Sequence, residues 1–256
     1  MSEPIYSADR SLYGKLRRRA SKLIYRKRAR LEGLKRPLIT FSFDDAPQSA
    51  LTEGARILEA YDARGTYFIS TGLMGNESHL GKYLTGDEVR ALSDRGHEIA
   101  CHTYEHLDCG RTDANTIAHS LARNRAELSA LGVTGISTFA YPYGDVSPQA
   151  KSVLSRTYAS ARALHHGLIT TGTDLNQAPA IGIEGENGEA VGIKWIEAAR
   201  ATKDAWLVLY THDVREAPST WGCTIKTFER LVRCAREHDF EIVTYAEGVR
   251  RATGTA

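Results

Sequence analysis

The chain has 256 residues, 42% of them apolar, enough for the core of one large α/β domain or two small ones. Its net charge of +2 is unevenly placed: residues 1–36 hold twelve Lys/Arg against three acids, leaving 21 bases and 28 acids for the other 220 residues. Met1 is followed by polar and charged residues, and the longest apolar run, Ala205 to Tyr210, is far too short to span a bilayer. Neither a leader nor a membrane span is therefore expected. The four cysteines (Cys101, Cys109, Cys223 and Cys234) show no CxxC spacing, so reduced thiols in a cytoplasmic protein are predicted.

The first 36 residues form a basic arm. Leu12, Leu16, Ala20, Leu23, Ile24 and Leu31 recur at helical spacing among Lys15, Arg17 to Arg19, Lys22 and Arg26 to Arg28, which predicts an amphipathic helix. Residues 10–36 would lie on an anionic membrane surface, each base contributing roughly 1 kcal/mol, or pack on the body with a solvated basic face. Nothing in the chain looks like a nucleic-acid-binding module, and no such partner is expected.

The body, residues 37–256, alternates strands and helices. Strands are predicted at Leu38–Phe43, Thr66–Ile69, Glu98–Cys101, Ile136–Tyr141, Tyr158–Arg162, Trp206–Tyr210 and Glu241–Val243. Helices are predicted at Ser49–Tyr61, after the capping box Thr85/Glu88, at Asp113–Leu131, after Ser147-Pro148, at Ile225–His238 and after Thr244. Region 163–193, rich in Gly, Thr and Asn, reads as loop with an irregular strand near Ala180–Ile183. The alternation implies a parallel sheet, and about seven repeats favour a deformed (β/α) barrel of class α/β.

Chemistry-bearing residues follow the strands. Asp44 and Asp45 end the first, His102 and His106 follow the third, Tyr141-Pro142-Tyr143-Gly144 follows the fourth and His212 a late one. In a barrel all of these reach the C-terminal face. His102 and His106, four residues apart, would aim both imidazoles at one ion, and a carboxylate converging on them completes three metal ligands with positions left open. Adjacent Asp44 and Asp45 face one site only if the chain bends there; otherwise they cap the next helix. A structural zinc site using Cys101 and Cys109 with the two histidines is the competing arrangement, opposed by the alternation that turns Cys101 away from His102.

The segments Ser42-Phe43-Asp44-Asp45, His102-Thr103-Tyr104-Glu105-His106 and Leu209-Tyr210-Thr211-His212 together resemble the polysaccharide deacetylases of the NodB-homology type, carbohydrate esterase family 4, over about residues 37–250. The resemblance implies a NodB-like barrel and removal of N-acetyl groups from amino sugars such as N-acetylglucosamine. It implies Asp45, His102 and His106 as ligands of a divalent metal, most readily Zn2+, with Co2+ an alternative. It further implies Asp44 as general base, His212 as general acid and the backbone N–H of Tyr143 as an oxyanion donor. Members without a leader act on exported adhesive (holdfast-like) or capsular polysaccharide, which would suit a lipid-linked precursor as substrate. The chain departs from the family pattern at Ala140, where an arginine that steadies the base is usual. Arg162 on the next strand is the candidate replacement, unless it is simply a surface arginine. For the acid that tunes His212, Asp174 is the candidate and Asp213 its rival. Trp221 and Tyr104 are candidates for stacking on sugar, or else core residues. Two further functions share this sequence pattern: hydrolysis of another small amide or imide, and a non-catalytic carbohydrate-binding scaffold.

Overall fold

The computed structural model describes residues 11–254. Helix α1 (Leu12–Ser21) comes first, then β1 (Leu38–Asp44), a π-helical stretch (Ala50–Ala55) leading into α2 (Arg56–Ala60), and β2 (Thr66–Ile69). A small hairpin of β3 (Glu77–Ser78) and β4 (Gly81–Lys82) follows, then α3 (Gly86–Asp94), β5 (Glu98–Cys101), α4 (Ala114–Ala130), β6 (Thr138–Ala140), α5 (Pro148–Thr157) and β7 (Ser160–Arg162). The last part holds β8 (Ile181–Gly182), α6 (Gly188–Arg200), β9 (Trp206–Thr211), α7 (Ile225–Glu237), β10 (Glu241–Ile242) and α8 (Tyr245–Thr253).

Seven parallel strands run in the order β7-β6-β5-β2-β1-β9-β8, with β10 also paired to β1. On that edge of β1 the work is divided: Leu38 and Ile39 pair with β10, and Ser42 to Asp44 pair with β2. A parallel bridge between Arg162 and Ala178, just before β8, brings the two ends of the sheet together as a deformed NodB-like barrel.

Strand parity sorts the core into two sides. Ile39, Phe41 and Phe43 face outward into a cluster with Phe228 and Leu231 of α7. Leu38, Phe68, Ala100, Ala140, Val208 and Tyr210 fill the barrel interior, and Tyr245, Val249 and Ala252 of α8 close its floor. Cys101, Phe139 and Ala161 face a third cluster under α4 and α5. The floor carries a buried polar knot in which Glu98 accepts from Thr66, Thr138 and the Ala246 N–H, and burial holds its carboxyl above the usual range.

Two sequence expectations need correction. The basic helix stops at Ser21, whose hydroxyl donates to the Val146 carbonyl and whose carbonyl oxygen accepts from Lys151 Nζ. Residues 27–31 run extended instead, with Ala29 and Leu31 buried at strand spacing and backbone bonds to Thr173 and Ala252. Region 163–193 also contains the start of α6, whose Gly188 and Gly192 blur any apolar stripe in the sequence. They are needed for contact, since a Cβ would lie 2.6 Å from the Ile183 backbone at Gly188 and 2.7 Å from Leu231 at Gly192.

Candidate active site

The interior parity of the strands continues past their ends. Thr40, Ser42 and Asp44 point into the barrel, as do Ala100 and His102, Ser160 and Arg162, and Val208, Tyr210 and His212. Their side chains meet at the C-terminal mouth because the strands are parallel and in register.

Asp45 joins them through a backbone turn: it has φ 57° and Ala46 has φ 49°, so Asp45 swings to the side that Asp44 already faces. Thr103, His106 and Tyr143 are also left-handed. Among the described residues nine non-glycines have this backbone and five of them lie in these loops, the kind of strain that persists where surrounding structure fixes it. The His102–His106 segment is thus a tight loop rather than a helical turn. It is held by Ser70 donating to the His102 carbonyl and by Thr103 Oγ1 accepting from the Leu107 N–H.

Asp45 Oδ1 lies 3.7 Å from His102 Nε2 and 3.5 Å from His106 Nε2. His102 Nδ1 is 2.8 Å from the Ala140 carbonyl, an acceptor, which places the proton on Nδ1 and leaves Nε2 a lone pair toward Asp45. Burial lowers the His102 pKa to about 4, so the ring stays neutral and able to bind a metal. Asp45 Oδ1 is buried with no hydrogen-bond partner among the described residues. An orphaned carboxylate oxygen facing two imidazoles fits a divalent metal, and one atom from each residue falls within 4.8 Å of the others. The cysteine alternative fails: Cys101 and Cys109 are buried in the outer cluster, and burial raises both thiols.

On one side of this centre lies Asp44. Arg162 Nη2 donates to both its carboxylate oxygens, at 2.5 and 2.6 Å. Burial would raise the Asp44 pKa, but Arg162, with His102 and His212, outweighs it and holds the carboxyl below its usual range. Arg162 is fully buried, its guanidinium 4.8 Å from the Phe68 ring centroid and 5.1 Å from that of Tyr210. Ala140 and Arg162 are register partners on adjacent strands, so the guanidinium enters through space the small Ala140 leaves open.

On the other side lies His212. Its Nδ1 is 2.9 Å from Glu184 Oε1 and 3.1 Å from the Trp221 carbonyl, both acceptors, so Nδ1 carries hydrogen and Nε2 faces the site. Burial alone would lower this imidazole, yet Glu184, with Asp44 and Asp45 beyond it, raises it to about 9. The carboxylate that touches His212 is therefore Glu184. Asp174 lies elsewhere, bonded to Lys151 and to the Lys27 and Asn176 N–H groups beneath the N-terminal arm. Asp213 is also turned away, holding Ser219 and Arg215 in the loop that carries Trp221. Glu184 follows β8 in Ile181-Gly182-Ile183-Glu184, an acid at a strand end like Asp44, but a strand of two residues gives little signal. Gly182 makes room for it: a Cβ there would lie 2.9 Å from both Glu184 Oε2 and the Tyr210 hydroxyl.

Tyr143, left-handed and 42% exposed, sets its ring edge-on to His106 at 4.5 Å. Trp221 is 45% exposed, its ring 6.4 Å from His212. Tyr104 is covered instead by Arg123, 3.5 Å over its ring.

The sequence matches the family described as Polysaccharide deacetylase over residues 32–160, half of the chain. It belongs to the polysaccharide deacetylase family. A bifunctional xylanase/deacetylase of Pseudobutyrivibrio xylanivorans is 27% identical over 110 residues, 43% of this chain. The chain spans only 17% of that relative's length. Among solved structures, the family 4 domain of a multidomain xylanase from the hindgut metagenome of Trinervitermes trinervoides is 20% identical. It superposes with TM-score 0.60 over 87% of this chain and 93% of that one. A family 4 acetyl xylan esterase from Clostridium thermocellum, solved with a cobalt ion, is 19% identical, with TM-score 0.59 over 86% and 93%. At these identities the likeness shows the deacetylase fold.

Proposed function

We infer that this deacetylase-family chain is a metal-dependent hydrolase removing N-acetyl groups from N-acetylglucosamine-type residues of an exopolysaccharide or its lipid-linked precursor. The observation that carries the reading is the convergence on one barrel mouth of Asp45, His102 and His106, with the Asp44–Arg162 pair on one flank and His212–Glu184 on the other.

Asp45, His102 and His106 would hold the ion, most readily Zn2+. A bound divalent ion supplies Lewis-acid polarisation of the acetyl carbonyl and a more acidic water. Asp44, kept ionised by Arg162, accepts the proton of the attacking water at a carboxylate oxygen. The Tyr143 N–H, turned by its left-handed backbone, supports the developing oxyanion. His212, protonated at neutral pH, donates from Nε2 to the departing amine while Glu184 holds Nδ1. The products are acetate and a free amino sugar.

The test is acetate release from an N-acetylglucosamine oligomer with and without zinc, for wild type and Asp44→Asn. Asp44→Asn is expected to lose on the order of 10²–10⁴-fold in kcat. Metal binding without acetate from any acetylated sugar would replace this reading with the scaffold one. An ester substrate is the second reading, favoured by the acetyl xylan esterase among the similar structures. An amine must be protonated to leave and an alkoxide much less so. His212→Ala should therefore depress amide hydrolysis far more than hydrolysis of a matched acetate ester.

No helix among the described residues is long and apolar enough to cross a membrane. Leu12 and Leu23 are 79% and 75% exposed, beside Arg19, Lys22 and Arg26. That combination supports peripheral docking on an anionic membrane, and the four free cysteines support a cytoplasmic location. Cosedimentation with vesicles containing phosphatidylserine, reduced in Leu23→Glu, is the expected result; equal recovery on neutral and anionic vesicles would refute it.

A further inference from the structure

The N-terminal arm packs against the segment that follows Tyr143. Arg17 pairs with Asp145 at 2.8 Å, their side chains 8% and 3% exposed. Lys151 ties the Ser21 carbonyl to Asp174, and Asn176 Nδ2 donates to the Tyr25 carbonyl. These contacts fix α1 and the turn after it against Asp145, Val146 and α5, shortly after Tyr143, the residue whose ring lies on His106. Between arm and body lies a cleft of about 370 Å³ lined by Arg19, Lys22, Gly144, His165 and Gln177.

The chemistry of this cleft is one-sided. Its acid, Asp145, is matched by Arg17, and Asp174 beneath it is matched by Lys151. Among the described residues neither Arg19 nor Lys22 has an ion pair, and His165 lies close enough to Lys22 to feel its charge. Gln177 contributes a buried Oε1 with no hydrogen-bond partner, an acceptor suited to a sugar hydroxyl. Two unneutralised cations beside an unused acceptor, next to Tyr143, fit a sugar and an anion joined together. The family match begins at residue 32, so Arg19 and Lys22 lie outside it.

Resting on the deacetylase reading, we propose that this cleft binds a phosphate ester carried by the amino-sugar substrate. Arg19 and Lys22 hold the phosphate oxygens, and Gln177 takes a hydroxyl of the attached sugar. The substrate is a phosphorylated saccharide, either a sugar phosphate or a saccharide on a lipid diphosphate.

The test compares a neutral N-acetylglucosamine trimer, the same trimer as its 1-phosphate, and the trimer on a short prenyl diphosphate, using the metal-loaded full chain. The phosphate should lower KM on the order of ten- to hundredfold, as expected for charge-assisted hydrogen bonds. Arg19→Gln/Lys22→Gln should bring the phosphorylated-to-neutral ratio of kcat/KM to about one. A merely structural role would move both substrates together and overturn the proposal. A preference shared by both phosphorylated forms points to the phosphate alone; a further gain for the prenyl form identifies the lipid-linked source. Calorimetric binding of N-acetylglucosamine 1-phosphate against N-acetylglucosamine, in wild type and the double variant, reads the cleft without catalysis. Equal binding by the two proteins overturns the cleft even if no acetate is released. Phosphate-dependent binding without acetate leaves the cleft standing and sinks the deacetylase reading alone.

Discussion

Arg162 shows how one charge reaches the same place by another route. It stands opposite Ala140 in the β6–β7 register, and both positions face the barrel interior. Moving the guanidinium back, with Ala140→Arg combined with Arg162→Ala, should recover much of the activity that Arg162→Ala alone removes. No recovery in a folded double variant would show that the charge must come from β7. Arg162→Met leaves Asp44 buried without its main cation, which should cost about 3–5 kcal/mol of stability in a denaturant titration. Across the site the sign of the pH effect follows from the proposed role of His212, which as general acid would have to be protonated. With its pKa at about 9, activity should hold through neutral pH and fall as pH rises through that value. In Glu184→Gln, burial is no longer opposed by that carboxylate, so the alkaline limb of kcat should move down toward or below the ordinary imidazole value. An unmoved limb would remove Glu184 from the acid's support.

At the scale of elements, the arm behaves as a strap whose buckle is Lys151, fully buried between Ser21 and Asp174. Lys151→Met should free α1, and trypsin should cut within residues 15–28 faster while the rest of the chain persists. Unchanged cleavage kinetics would mean that the Arg17–Asp145 pair and the buried Ala29 and Leu31 suffice to hold it. The strap also shows where sequence reading gives out. Leu31 is apolar at helical spacing from Leu23 and Ile24, and at strand spacing from Ala29, so periodicity could not choose between them. Tertiary bonds to Thr173 and Ala252 chose the extended form. Asp44 and His212 were legible because each ends a long apolar run whose alternation points inward, and His102 and His106 because a pair of histidines four residues apart follows a strand end. Arg162 was legible only as the basic residue ending the strand after Ala140, with a surface position as its rival, because β7 is three residues long. Glu184 was hidden behind a strand of two residues, and α6 behind two glycines that exist to let Ile183 and Leu231 approach. The two-way reading of Asp44 and Asp45 turned on a backbone angle at Asp45 that no side-chain pattern encodes.

At the scale of the whole molecule, the proposed ligands come from two loops, after β1 and β5, each braced by strained backbone. Zinc should therefore bind the folded chain far better than the unfolded one and raise its melting temperature. At a hundredfold excess over Kd the gain is about 2.7 kcal/mol. A chelator should reverse it, and His106→Ala should abolish it; a shift that survives in His106→Ala would place the ion elsewhere. Strand β1, the spine of this arrangement, has a further consequence. It emerges early, yet its full-length neighbour β9 is made some 160 residues later, and β10, which covers its lower edge, later still. Until synthesis reaches them, the nascent chain carries a bare ribbon of Leu38, Ile39, Phe41 and Phe43 with unpaired amides. Such an edge is a template for any passing strand. A ribosome stalled before residue 206 would thus leave an adhesive fragment rather than a half-active enzyme.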